Sequence, residues 1–293
     1  MNMNVLISSN DNYGMPTMVM LTSLVENNPP DSSNRHTVFM LETGLSDEWN
    51  GRIESFLTEN GWEYKRIRIP GELFSSAKTK PYISKETYYR IVAHKYLPET
   101  VNRVLWLDSD IIVRGDLSAF YNTALDGCMT VACSYGPAMK RIIADNAENL
   151  KMRCPETYFN AGVMLINLTE CRENISEERI ERIIYSDEAK SFMFPGQDTV
   201  NLLFDGMVQI ADYRKYNCMI HCIEGPDDLT YARENALIVH FPGEAKPWRF
   251  NDIHFAEEWM QWYHKSFGKS ENLKRMSYFR LKALFERQKG QNG

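Results

Sequence analysis

A layered α/β fold is what the order of apolar runs along this 293-residue chain predicts. Three observations carry it. Short apolar runs alternate with segments of helical periodicity as far as about residue 243. The run Arg103-Val104-Leu105-Trp106-Leu107 is apolar at both parities, as a strand buried on both faces of a sheet requires. The length is enough for one sizeable core, and no repeat, linker or low-complexity tract interrupts it before Pro242-Gly243.

In order, residues 5–7 read as a first strand, and 15–26 as a helix with Pro16 in its first turn, where a missing N–H is harmless. Residues 36–41 read as a second strand. Ser46 caps a helix running to about 59, without the Glu that would complete a capping box. The alternation over 62–69 predicts a third strand, and 84–96 a helix that stops before Pro98. Strands are expected over 103–107, 111–113, 129–133, 162–167 and 236–240, and helices over 176–185 and 198–204. Past Pro247, two aromatic amphipathic helices are expected near 253–267 and 273–288. The expected organisation is a main domain over 1–243 and a helical C-terminal segment over 244–293.

Composition narrows the function. The net charge of −6 lacks the basic footprint of a nucleic-acid binder, so no nucleic-acid partner is expected. The N-terminal run shows no secretory signal, and no stretch of about 18 apolar residues exists. Cys218, His221 and Cys222 lie close together but lack the paired C-x2-C spacing of a zinc site. All six cysteines read as reduced structural thiols, which points to the cytoplasm.

The segment with chemistry in it is Asp108-Ser109-Asp110, at the exit of the doubly apolar strand. In an extended chain, residues i and i+2 share a side, so the two carboxylates point together. Ligand sites of open α/β sheets lie outside the carboxyl ends of the strands. Two hard oxygen ligands there suit Mg²⁺ or Mn²⁺ with a diphosphate. By itself the pattern is equally a solvated turn, since about one D-x-D arises by chance in a chain of this length.

Five blocks, in order, resemble glycosyltransferase family 8: Ser8-Ser9-Asn10-Asp11-Asn12-Tyr13, Thr87-Tyr88-Tyr89-Arg90, Leu105-Trp106-Leu107-Asp108-Ser109-Asp110, Tyr158-Phe159-Asn160-Ala161-Gly162, and His240-Phe241-Pro242-Gly243-Glu244-Ala245-Lys246-Pro247-Trp248. The resemblance implies a GT-A-type, Rossmann-like mixed sheet flanked by helices and a UDP-sugar donor. It implies metal ligation by Asp108, Asp110 and His240. Two carboxylates and an imidazole favour Mn²⁺, with Mg²⁺ the alternative. Ser8, Asn10, Asn12, Tyr13 and Ser109 fall on nucleotide-binding positions, where Tyr13 is placed to stack on the pyrimidine. Asn160 falls on a donor-sugar position. Arg90 suits a sugar hydroxyl or the Asp108 carboxylate. Gly243 and Lys246 fall on diphosphate contacts, where a backbone N–H and an ammonium would neutralise departing UDP. Read only as local structure, the same residues are an Asn-rich turn, a surface arginine, a turn into a strand and a structural histidine.

One block departs from the family. Where the family shows Asp-Gln-Asp, this chain has Gly196-Gln197-Asp198. The missing aspartate commonly holds donor hydroxyls, which leaves glucose and galactose equally open. Gln197 and Asp198 remain as catalytic candidates. Asp198 is open to three readings: nucleophile, charge stabiliser, or N-cap of the next helix. Without a second evident carboxylate, same-face displacement with retention is expected rather than a double displacement.

The expectation is therefore a retaining hexosyltransferase acting on a glycan or glycolipid acceptor. The competing reading is a catalytically silent UDP-sugar-binding protein. The basic amphipathic pattern over 273–288 reads either as a peripheral contact with an anionic membrane or as a helix packed on the body.

Overall fold

The computed structural model describes residues 2–75, 77 and 85–268. A seven-stranded mixed sheet has the order β3-β2-β1-β4-β7-β6-β8, formed by β1 (Asn4–Ser8), β2 (Thr37–Glu42), β3 (Glu63–Arg68), β4 (Arg103–Leu107), β6 (Thr130–Cys133), β7 (Asn160–Asn167) and β8 (Val208–Ala211). A smaller sheet is formed by β5 (Ile111–Val113), β10 (Ile238–His240) and β9 (Cys218–Met219), in the order β5-β10-β9.

β3, β2, β1 and β4 run parallel, whereas β7 is antiparallel to both β4 and β6. The chain moves outward from β1 to β3, then returns to place β4 on the other side of β1. This reversal opens a crevice at the carboxyl ends of β1 and β4, the usual place for a ligand.

β4 behaves as its sequence predicts. Leu105 and Leu107 enter one large apolar cluster, while Val104 and Trp106 enter the cluster on the opposite face. The helix Gly14–Asn27 covers the first face and the helix Tyr89–Tyr96 the second. Ser46 caps the helix Asp47–Glu59, its side chain accepting from Trp49 N at 3.4 Å.

Several elements differ from expectation. The segment expected as one helix over 84–96 is a 3-10 turn, Lys85–Tyr88, followed by the helix Tyr89–Tyr96; residue 84 lies outside the described residues. The helix expected from 198 begins at Pro195, whose ring suits the first helical turn. The helices Lys140–Asn149 and Gly225–Asn235 were not anticipated. The first buries only Ile143, Asn146 and Ala147, and the second only Ala232, so neither carries a full apolar stripe. The edge strand β8 has exposed central residues and no alternation to read.

Of the two expected C-terminal helices, the first occupies 256–268. Trp259, Tyr263 and Phe267 enter the same core as β1 and the helix Gly14–Asn27. Ser266 Oγ lies 2.8 Å from Thr22 Oγ1, and Arg114 pairs with Glu258 at 2.8 Å. The second helix, near 273–288, and its membrane reading lie outside the described residues. Among the described residues, no helix is long and apolar enough to cross a membrane.

Trp259 is completely buried. Replacing it with Ala is expected to cost about 3–5 kcal/mol. Urea denaturation should show one cooperative transition with a lowered midpoint; a separate early transition would mean that 256–268 unfolds apart from the sheet.

Candidate functional site

The site forms where the chain changes sheets. β4 belongs to the large sheet and β5 to the small one, and Asp108-Ser109-Asp110 is the link. The link is a turn at 109–110 rather than the extended segment expected, because the strand must leave one sheet to enter the other. The carboxylates converge nonetheless. Antiparallel pairing of β5 with β10 sets Ile111 opposite His240, and Phe241 N donates to Asp110 O at 3.0 Å. A histidine from the far end of the sequence is thereby fixed beside the turn.

Asp108, Asp110 and His240 each offer a ligand atom, all within 4.8 Å of one another. His240 is 2% exposed, and its Nδ1 lies 2.9 Å from Asn217 Oδ1. Its Nε2 is buried without a hydrogen-bond partner and faces Asp110 Oδ1 at 3.3 Å. A buried nitrogen left open beside two carboxylates is the donor set of a divalent cation, so these residues fit a metal. Gly162 makes this approach feasible: a Cβ there would stand 2.3 Å from His240 Cε1.

The carboxylates are held from behind. Trp106 Nε1 donates to Asp108 Oδ1 at 2.7 Å, and Arg90 Nη2 lies 3.2 Å from the same oxygen. Arg90 is buried over the Trp106 ring, with Nε donating to Thr87 O at 2.8 Å and Nη1 to Ala161 O. Its guanidinium therefore serves Asp108, one of the two roles expected of it. Lys246 Nζ pairs with Asp110 Oδ2 and donates to Phe241 O at 2.6 Å. Burial works to raise the pKa of Asp110, yet the Lys246 ammonium beside it holds it well below the usual carboxylate range. Burial likewise works against the Lys246 ammonium, and Asp110 more than offsets it, leaving its pKa raised.

Ser109 faces inward, accepting from Thr17 Oγ1 at 3.0 Å and donating to Ser8 O at 3.2 Å. Its hydroxyl ties the turn to β1. Ser8 Oγ points away from the turn, donating to Leu41 O at 2.8 Å. Asn10 caps the 3-10 turn Asp11–Tyr13 by accepting from Asn12 N at 3.0 Å, while its Nδ2 donates to Glu86 Oε1 at 3.0 Å. Asn12 is exposed. Tyr13 packs edge-on against Trp248 at 6.0 Å, and burial raises its pKa. Gly243 is exposed in a left-handed turn, φ +75°.

A second cluster adjoins the first. Gln197 Nε2 donates to the Tyr135 hydroxyl at 2.9 Å and the Tyr158 hydroxyl at 2.8 Å. Its Oε1 accepts from Asn160 Nδ2 and Ala161 N, each at 3.2 Å. Asp198 is fully buried, its carboxylate accepting from Tyr158 OH at 2.5 Å, Asn146 Nδ2 at 2.9 Å and Phe194 N at 2.8 Å. Burial nevertheless raises its pKa. Asp198 is not the N-cap that was one of its three readings: the helix begins at Pro195 and its N-cap is Phe194, so Asp198 lies inside the first turns and its carboxylate accepts the N–H of the cap residue. At Gly196, a Cβ would stand 2.6 Å from Thr87 Oγ1, so an aspartate would require the segment before Arg90 to shift.

Sequence reasoning missed Asn217, Tyr135, Tyr158 and the supporting contact of Trp106. Nothing in Tyr216-Asn217-Cys218 marks the asparagine, which matters only because β9 lies beside β10. The group Cys218, His221 and Cys222 does not join the acidic site as ligands; both cysteines are free thiols.

A mixed sheet carrying an acidic pair and a histidine at the exit of its central strand defines a GT-A-type glycosyltransferase. The chain belongs to glycosyl transferase family 8, whose model matches residues 4–252, and it is a hexosyltransferase. It is 26% identical over 258 residues to a lipopolysaccharide 1,2-glucosyltransferase of Escherichia coli, covering 84% of this chain and 73% of that one. It is 23% identical over 264 residues to general stress protein A of Bacillus subtilis, covering 86% and 89%. Among solved structures, the galactosyltransferase LgtC in complex with donor and acceptor sugar analogs superposes with a TM-score of 0.76 at 26% identity, covering 94% of this chain and 100% of that one.

Gly162→Ala should push the His240 ring out of place without removing any ligand. Mn²⁺ titration is expected to show binding weakened by about ten-fold or more. Unchanged binding would show that His240 does not need its present position.

Proposed function

We propose that the chain transfers glucose or galactose from a UDP-sugar to a glycan or glycolipid acceptor, with retention of configuration, using Mn²⁺ held by Asp108, Asp110 and His240. One observation carries this: two carboxylates and an open imidazole nitrogen converge at a sheet's switch point, with a buried lysine directly behind them. The E. coli relative's name supports a glucosyl donor and a lipopolysaccharide acceptor, and the LgtC complex supports a galactosyl donor.

When bound, the metal would act as a Lewis acid on the donor's diphosphate. The chain's own residues supply the rest. Lys246 is a fixed cation at the turn, suited to the charge that develops as the bond between the anomeric carbon and the β-phosphate oxygen breaks. Arg90 and Trp106 keep Asp108 oriented before any ligand arrives. Tyr13, beside Trp248, offers an aromatic surface for the base at the exit of β1. Asn160 and Gln197 would meet the sugar only by exchanging hydrogen bonds that they already make with each other and with Tyr135.

The burial of Asp198 supports same-face displacement over a covalent intermediate, because three donors already occupy its carboxylate. In that reaction the acceptor oxygen bonds to the anomeric carbon as the phosphate oxygen leaves. The acceptor's proton passes to that phosphate, so no protein base is required.

Incubation with a panel of UDP-sugars and Mn²⁺ should release UDP fastest from UDP-glucose or UDP-galactose. Asp108→Asn should lower the rate by about a hundred-fold, the scale for removing one transition-state stabiliser. Tight UDP binding with no release from any donor would instead support the silent binding protein.

A further inference from the structure

We propose that Asn217 is the positioning residue that prepares His240 for the metal, and that the backbone N–H of Gly162 dictates its orientation. The inference rests on the reading of Asp108, Asp110 and His240 as a metal site.

The argument begins with a group whose polarity cannot change. Gly162 N is a donor, and it points at the Asn160 side chain at 3.0 Å. The atom it meets must be the carbonyl oxygen, Oδ1. That oxygen also meets the Asn217 amide at 3.0 Å, so Asn217 must present its NH₂ group there. Asn217 therefore turns its own oxygen toward His240 Nδ1, at 2.9 Å. An amide oxygen can only accept, so Nδ1 must carry the proton, and Nε2 of the neutral ring is left with its lone pair.

A second backbone donor gives the same answer independently. Ala161 N requires Gln197 Oε1 at 3.2 Å, and that oxygen accepts from Asn160 Nδ2. Asn160 is thus oriented from both ends. Asn160, Asn217 and His240 are all buried, so water does not compete for these bonds. The opposite tautomer would oppose two acceptors at Asn217 or, if both amides flipped to suit it, two donors at Gly162, a cost of about 1–3 kcal/mol for the buried group left unpaired.

The consequence lies at Nε2. Its lone pair faces Asp110 Oδ1 at 3.3 Å, acceptor against acceptor, in a buried place. A cation between them removes the conflict. The chain thus holds its imidazole already committed to ligation, and Asn217 acts on the site through the His240 ring.

The test uses full-length, metal-stripped protein with ¹⁵N-labelled histidine at neutral pH, with His240 assigned by comparison with His240→Gln. The expected spectrum shows Nδ1 protonated and Nε2 bare; the reverse pattern overturns the proposal. A second measurement follows Mn²⁺ binding by electron paramagnetic resonance. Asn217→Leu should weaken binding by about 10–100-fold, and Asn217→Asp, which still accepts from Nδ1–H, should recover much of the loss. Wild-type affinity in Asn217→Leu would overturn the proposal. If the variants do not fold, the wild-type spectrum still decides the tautomer. A wild-type protein that shows the Nδ1–H form but takes up no Mn²⁺ would overturn the metal reading underneath, and with it the role assigned to Asn217.

Discussion

The site depends on the antiparallel pairing of β5 with β10. That short ladder sets His240 opposite Ile111 and bonds Phe241 N to Asp110 O. Without it, the acidic turn would be a polar exit from a strand, of the kind that any α/β sheet has. With it, an imidazole and, six residues later, a lysine ammonium arrive at the same place. The neighbouring strand β9 then brings Asn217 to the far side of the histidine ring. The small sheet is thus a device for delivering the C-terminal blocks of the sequence to the exit of β4.

Electrostatics explains how Asp110 can be buried beside a half-buried Asp108. Each carboxylate has its own cation: Arg90 for Asp108 and Lys246 for Asp110. A buried charge without a partner is strongly destabilising, whereas paired and hydrogen-bonded charges are tolerated. Arg90 adds its ring contact with Trp106 and two backbone acceptors, so it is a rigid element of the wall. The polar chain through Asn160 and Gln197 is equally well satisfied, which makes this side of the crevice stiff before ligands bind.

How much of this was legible varies with how local the signal is. The doubly buried β4 and the helix cap at Ser46 could be read because their causes lie within a few residues. The helices Lys140–Asn149 and Gly225–Asn235 could not, because so few of their side chains are buried. Asp108, Asp110, His240 and Lys246 were read as one site only through the joint resemblance of distant blocks. Arg90 was placed in either of two roles, and the geometry selects Asp108. Asp198 was left among three readings; the N-cap proves to be Phe194, and the Asp198 carboxylate is instead bonded inside the helix to Tyr158 and Asn146. Gly196 was read as a lost sugar contact; what the structure shows there is the helix Pro195–Phe204 closing on Thr87.

The sequence by itself determined the layered α/β class, the central buried strand and the pair of carboxylates at its exit. These follow from hydrophobic periodicity and from the chemistry of single side chains, which are local properties. Tertiary structure alone decided which donor each polar group meets. Asn217 carries no motif, yet it is the partner of His240 Nδ1, because a hydrogen bond needs both atoms within about 3 Å and only the packing of β9 against β10 brings them there.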